Sequence, residues 1–346
     1  MASSINNPGW LEWMAGLMGG VSRQTYSATF PPDRFYCLLD ELPLHLVPRP
    51  AWEANPQPAG RELFLNPDCR LYAGEELPEE LGPQKELFSV LALEGTIAWL
   101  RDANTGALSP FWLGQQFESF VRELRPGEPV PHSVPASARS ILESAGILIS
   151  ADSIARRRVD WKEAVAKAAE LFRNKGYAPL HDLIHPFHIA ALRRYYRYRI
   201  RSGAIPLGDG QSPRRYVAYN DPVARFFHRQ IAIAFSTVAG EPVKPSYVYL
   251  ASYLSGAELK KHVDREQCEF SITLCLDFSP EPDLATPWPI SLDTPTGKVT
   301  VYQALGDGLA YRGTRLPHYR SKLGNGQTST SIFFHYVASD FAGSLD

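Results

Sequence analysis

The stretch Lys260-Lys-His-Val-Asp264, with His318 standing 54 positions beyond Asp264, decides how this chain is read. Ahead of it, Ser246-Tyr-Val-Tyr-Leu-Ala-Ser-Tyr253 has the aromatic and β-branched content of a strand, and Phe270-Ser-Ile-Thr-Leu-Cys-Leu-Asp-Phe278 predicts the next one. Gly306-Asp-Gly-Leu-Ala-Tyr311 predicts a third strand, with a turn at its head, shortly before His318. Side chains at i and i+2 of a strand point the same way, so His262 and Asp264 are expected to enter one cavity while Val263 turns away. Two imidazoles and one carboxylate form the set that holds a non-haem Fe(II) on one face and leaves the opposite positions open.

Upstream of this stretch the pattern is helical. Trp161 to Lys175 carries Ala164, Ala168, Leu171 and Phe172 on one stripe and stops at Gly176. Tyr177-Ala-Pro-Leu180 reads as a short strand, Pro186 to Arg201 as a helix, and a further helical stretch is expected from Tyr216 through Phe235. Helices followed by a strand-rich C-terminal half predict a β-barrel or sandwich braced by helices. Near the N-terminus, residues 1 to about 85 predict strands and loops, with proline-rich runs at Phe30-Pro-Pro-Asp33 and Leu46 to Trp52. Residues 86 to 125 predict helix, and Ser137 to Ile149 predicts a helix stopped at Gly146 and then a short strand.

Composition narrows the classes. A formal charge of -2 over 346 residues gives no basis for a nucleic-acid or anionic-membrane partner. Four scattered cysteines, Cys37, Cys69, Cys268 and Cys275, form no CxxC pair and predict reduced thiols. The first residues lack a basic stretch, and Trp10 to Met18 is too short to span a bilayer, so a cytoplasmic protein is expected.

The order helix, strand, helix, helix, strand, HxD, strand, loop, strand, His, strand resembles the Fe(II)/2-oxoglutarate-dependent dioxygenases, in their prolyl-4-hydroxylase-like and phytanoyl-hydroxylase-like branches. The resemblance covers about residues 170 to 340. It implies an α+β protein: a double-stranded β-helix (jelly-roll, cupin-like) barrel braced by helices, as a dioxygenase domain at 159–346. An N-terminal accessory domain at 1–158 is then expected, mixed in structure and weakly similar to winged-helix modules, binding substrate or partner; a helical cap or dimerisation surface, as in a homodimer, is the alternative.

By the same resemblance His262, Asp264 and His318 are the metal ligands, and Fe(II), 2-oxoglutarate and O2 are the cofactors. The reaction implied is hydroxylation or desaturation of an unactivated C–H of a small molecule, amino acid or peptide, with release of succinate and CO2. Asp264 favours this over halogenation, which needs Gly or Ala at that place. One departure stands out. The family's basic anchor for the far carboxylate of 2-oxoglutarate lies about ten residues past the second histidine, where this chain has Gln327-Thr-Ser-Thr-Ser331. Strand parity supplies Arg320 instead, two residues after His318, with a planar fork suited to a carboxylate. Thr328 or Ser329 adds a hydroxyl, and Tyr249 and Tyr253, with Tyr247, share a face toward the co-substrate or substrate. Lys322 is expected in solvent, His335 as a hydrogen-bonded core histidine, and His181, His185 and His188 as loop and cap residues. The missing distal cation leaves two alternatives: a cupin-type metal enzyme that does not use 2-oxoglutarate, and a barrel that has lost catalysis and serves as a binding module.

Overall fold

The computed structural model describes residues 30–42, 62–82, 84–125 and 127–345; the proline-rich run at 46–52 lies outside them. In the N-terminal part, β1 (Phe64–Leu65) is followed by β2 (Cys69–Ala73), β3 (Thr96–Arg101) and β4 (Leu108–Trp112), the last three forming an antiparallel sheet. Helix α1 (Gly114–Glu123) and helix α2 (Ala136–Ser144) lead to β5 (Leu148–Ile149), which pairs with β1. The expected helix over residues 86–112 is therefore strand for much of its length. Turn chemistry outweighs the apolar spacing there: Asp102 Oδ1 accepts the N–H groups of Asn104 and Thr105, and Gly106 adopts φ 70°, closing a hairpin between β3 and β4.

Helix α3 (Ala151–Lys175) starts ten residues earlier than its apolar stripe suggests, where the Ser153 hydroxyl accepts the N–H of Ser150. It ends at Gly176 with φ 77°. The helix carries the chain without a break through residues 158 and 159. Strand β6 (Tyr177–Leu180) and α4 (Pro186–Arg201) follow as expected, with Nδ1 of His185 accepting the N–H of Phe187 at the helix start. The helix expected from Tyr216 begins only at Pro222. Residues Arg215–Tyr219 are strand β7, and the Asp221 carboxylate caps α5 (Pro222–Ala239) through the N–H groups of Val223 and Ala224.

The rest is β8 (Val243–Tyr253), β9 (Leu259–His262), β10 (Phe270–Ser279), β11 (Ile290–Thr294), β12 (Gly297–Val301), β13 (Gly308–Arg312), β14 (His318–Arg320) and β15 (Thr328–Ala338). They form a six-stranded sheet in the order β6-β13-β10-β15-β8-β7 and a four-stranded sheet in the order β12-β11-β14-β9, antiparallel throughout. Where a barrel was expected, no ladder closes the two sheets into one among the described residues.

Alternation along the central strands gives the larger sheet two faces. Ile272, Leu274 and Leu276 of β10 and Ile332, Phe334 and Tyr336 of β15 join one core with Phe172 of α3, Leu192 of α4 and Phe235 of α5. That core continues into the N-terminal part through Phe35, Trp99 and Trp112, and Phe35 packs edge-on against both Tyr195 and Phe227. The other face meets the smaller sheet. Tyr253, Phe278 and Phe333 cluster with Trp288 and Leu323, and Leu309 and Tyr311 cluster with Ile290, Leu292 and Leu316. Candidate ligands and anchors lie between the sheets.

Candidate metal centre

His262 ends β9, and His318 opens β14 directly opposite it in the ladder, so cross-strand pairing brings the two imidazoles together with ring centroids 4.3 Å apart. Asp264 lies past the end of β9, so strand parity alone does not place it. Its N–H donates to the carbonyl of Gly313, just after β13, which ties the residue to the larger sheet. The centre thus bridges both sheets. Donor atoms of His262, Asp264 and His318 all lie within 4.8 Å of one another; Asp264 Oδ1 is 3.7 Å from His262 Nε2 and 3.4 Å from His318 Nε2.

Both imidazoles are pre-set in the same way. His262 Nδ1 lies 2.7 Å from the Lys260 carbonyl and His318 Nδ1 lies 3.0 Å from the Leu316 carbonyl. A carbonyl only accepts, so each Nδ1 carries the proton and each Nε2 presents a lone pair toward Asp264. Metal–ligand bonds of about 2.1 Å at right angles need donors about 3 Å apart. The observed separations are slightly wider, so the residues fit a divalent ion with small side-chain adjustment. Burial alone raises the Asp264 carboxyl, but its polar neighbours, the Ser271 hydroxyl among them, outweigh burial and bring it down to about 2. His318 is buried, whereas the His262 side chain is 41% exposed, so the centre opens to solvent on that side.

Close packing holds the carboxylate. Ser271 Oγ donates to Asp264 Oδ2 at 2.8 Å, and a Cβ on Gly313 would stand 2.4 Å from that same oxygen and 2.3 Å from the Cys268 carbonyl. A second group, Asp264, Cys268 and His335, also lies within 4.8 Å. There the Cys268 thiol already meets the Tyr247 hydroxyl at 3.0 Å, and burial pushes it up to about 12. Ser271 occupies the carboxylate oxygen on that side, so this second group is a hydrogen-bonded network.

Arg320 is only 5% exposed and lies on the same side of β14 as His318, with Tyr319 between them turned the other way. Nη1 donates to the Trp288 carbonyl at 2.5 Å, Nη2 donates to Gln303 Oε1 at 3.0 Å, and the guanidinium lies 4.8 Å from the Trp288 ring centre. Gln303 is itself fixed through its Nε2, which donates to the carbonyls of Thr273 and Asp307. Among the described residues no carboxylate pairs with Arg320, and burial lowers its pKa. Arg215, equally buried beside Tyr253, makes the contrast, because Asp209 and Gln211 satisfy it. A buried charge without a counter-ion costs several kcal/mol, on the order of 3–5. Arg320 is therefore a buried cation without a counter-ion among the described residues.

The remaining predicted residues divide. Tyr253 lines the inter-sheet space, its hydroxyl accepting from Arg215 and its ring against Trp288. Tyr249 stacks on Phe333 at 4.6 Å and on His335 at 5.6 Å, on the same face. Thr328 does not join them. Ser329 stands opposite Tyr253 and Phe278, so it has their parity, and Thr328 falls on the face toward the helices. Lys322 is exposed as expected. His188 is a core histidine bonded to the Pro110 carbonyl, and His181 meets Asp307. His335 departs from expectation, since its Nδ1 meets Ser271 Oγ at 2.9 Å while its buried Nε2 has no partner. The sequence reading missed Ser271, Gln303 and Gly313. A signal for Ser271 exists: Ser271, Thr273 and Cys275 alternate with Ile272, Leu274 and Leu276, which marks a polar face opposite the apolar one.

No family model matches the chain, and no curated protein does so. Solved structures similar to it include the non-heme alpha ketoglutarate dependent epimerase SnoN from nogalamycin biosynthesis, at TM-score 0.43 and 14% identity, covering 51% of this chain and 84% of that one. A prolyl-4-hydroxylase from Pseudomonas putida matches at TM-score 0.40 and 16% identity, covering 49% of this chain and 98% of that one. An oxidoreductase of the 2OG-Fe(II) oxygenase family from Burkholderia pseudomallei matches at TM-score 0.40 and 15% identity, covering 52% and 92% respectively. No described helix is long and apolar enough to cross a membrane.

Proposed function

We propose that this chain is an Fe(II)- and 2-oxoglutarate-dependent oxygenase that hydroxylates or desaturates a C–H bond of a small molecule, amino acid or peptide. One observation carries the reading: two imidazole lone pairs and a carboxylate oxygen converge beside a buried guanidinium that has no counter-ion among the described residues. His262, Asp264 and His318 hold the iron. When bound, the iron and 2-oxoglutarate supply oxidation by O2 with release of succinate and CO2. Arg320 takes the far carboxylate of 2-oxoglutarate, two residues or about 6.8 Å further along β14, a length on the scale of a five-carbon dicarboxylate. Trp288 and Tyr253 keep water from that guanidinium, which strengthens its hold on an anion. Ser329 and Tyr249 face the same space, and the two sheets form the jelly-roll that carries it.

Residues 159–346 carry the chemistry, and the N-terminal part contributes substrate or partner binding. Because one core and one helix join these parts, substitutions rather than truncation are the suitable test. Anaerobic reconstitution of the full chain with Fe(II), followed by 2-oxoglutarate and O2, is expected to give succinate, and His262→Ala to lose both the iron and the succinate. Iron binding without any 2-oxoglutarate requirement would favour the cupin-type alternative. Absence of iron binding would leave a binding module.

A further inference from the structure

Three groups run in a line behind the metal centre: Asp264 Oδ2, Ser271 Oγ at 2.8 Å, and His335 Nδ1 at 2.9 Å from Ser271. Serine owns one proton. An ionised carboxylate cannot donate, so that proton goes to Asp264 and the Ser271 oxygen must accept from His335. His335 is thereby restricted to its Nδ1–H tautomer. Its Nε2 is left as a bare lone pair in a residue 2% exposed, without a partner among the described residues. A buried acceptor in that state costs about 1–3 kcal/mol, which a position with a packing role alone would shed by substitution.

The register shows why these residues meet. Ser271 and His335 are direct partners in the β10–β15 ladder, and both point toward the smaller sheet. The His335 carbonyl accepts from His228 Nε2 at 2.8 Å, so the backbone of this residue is fixed from the helix face while its ring serves the other. Tyr247 lies alongside, with ring centroids 4.7 Å apart, and limits rotation of the imidazole.

We infer that His335 is a positioning residue that acts through Ser271 on Asp264: the chain occupies Oδ2 and leaves Oδ1 as the single oxygen offered to the metal. A metal held here would draw on Oδ1, which faces both imidazoles, because Ser271 already engages Oδ2. The inference rests on the metal centre proposed above, and its test separates the two.

Co(II) titration of the full apo-protein by calorimetry gives the first readout. Wild type binds one Co(II); no binding by wild type would overturn the metal centre itself. Ser271→Ala and His335→Leu are each expected to weaken Co(II) binding about 10- to 100-fold, and the double variant no further, because both break one chain. His335→Asn places an amide N–H near the lost Nδ1 and is expected to stay within about threefold of wild type on that same scale. The visible bands of bound Co(II) shift in Ser271→Ala as the freed oxygen joins the metal. Equal affinity in wild type and Ser271→Ala, or a fully additive double variant, would reject the positioning role while leaving the metal centre intact. Nitrogen-15 spectra of apo wild type decide the matter without a mutation: the Nδ1–H tautomer of His335 is expected, and the Nε2–H tautomer overturns the inference.

Discussion

Two sets of histidines lie on opposite sides of the same six-stranded sheet, and their wiring is reversed. On the helix side, His188 and His228 donate through Nε2 to the carbonyls of Pro110 and His335. On the inner side, His262 and His318 donate through Nδ1 to carbonyls two residues earlier in the chain. His188 and His318 are equally buried, so burial does not separate a packing histidine from a candidate ligand. The nitrogen left bare and the group it faces do separate them. On the helix side the tips are consumed by backbone; on the inner side they meet Asp264.

That contrast breaks most visibly by exchange of roles. His318→Ala is expected to weaken Fe(II) or Co(II) binding by more than about 100-fold, beyond the usual loss for an outer partner, with little change in Tm of the apo-protein. His228→Ala is expected to do the reverse, costing on the order of 2–4 kcal/mol in urea unfolding while metal binding survives. Loss of metal binding in both would erase the distinction.

Arg320 sharpens the comparison from the side of charge. Arg320→Ala is expected to raise the Kd for 2-oxoglutarate about 100-fold, equivalent to about 2.8 kcal/mol, with the affinity for metal unchanged. An unchanged Kd by equilibrium binding would move the anchor elsewhere. Next in size is Gly313→Ala, whose new methyl displaces the Asp264 carboxylate. Metal affinity is expected to fall by roughly ten-fold, on the scale of lost support for a ligand, with a loss of stability from overpacking of about 1–3 kcal/mol.

The smallest effect per step is in pH. Burial holds His188 and His228 down to about 3, against about 6.5 in the unfolded chain. Between those values the unfolded chain binds protons that the folded one does not. Stability therefore falls as pH drops from about 6.5 toward 3, by up to about 1.4 kcal/mol per pH unit for each histidine. Urea midpoints at pH 7 and pH 5 measure the slope, to which His185 and the buried His335 also contribute, and His188→Phe is expected to reduce it. A flat profile would mean that these histidines are not kept neutral by the core.

Much of the site was legible because strands write their faces at a period of two. His318 and Arg320 share a side of β14 as parity requires, and Tyr249 and Tyr253 share the inner face of β8. Thr328 was misplaced by one residue, and on a strand one residue is the opposite face. For Asp264 strand parity is an incomplete reason: β9 ends before it, and its N–H, donated to the Gly313 carbonyl of the other sheet, sets its position. Helix boundaries near Tyr216 and residues 86–112 were misjudged where a cap or a glycine turn outweighs apolar spacing.

By itself, the sequence singled out His262, Asp264 and His318 as candidates, and determined the strand-rich C-terminal half, the helices that brace it and the absence of a Lys or Arg at 327–331. These are local properties, written in residue type and short-range period. Only the tertiary structure decided that Arg320 is buried without a counter-ion among the described residues, that the equally buried Arg215 is paired with Asp209, and that Ser271 and His335 stand behind Asp264. Those facts depend on which strands become neighbours, and pairing between residues 64 positions apart, as between Ser271 and His335, leaves no periodic mark on either segment.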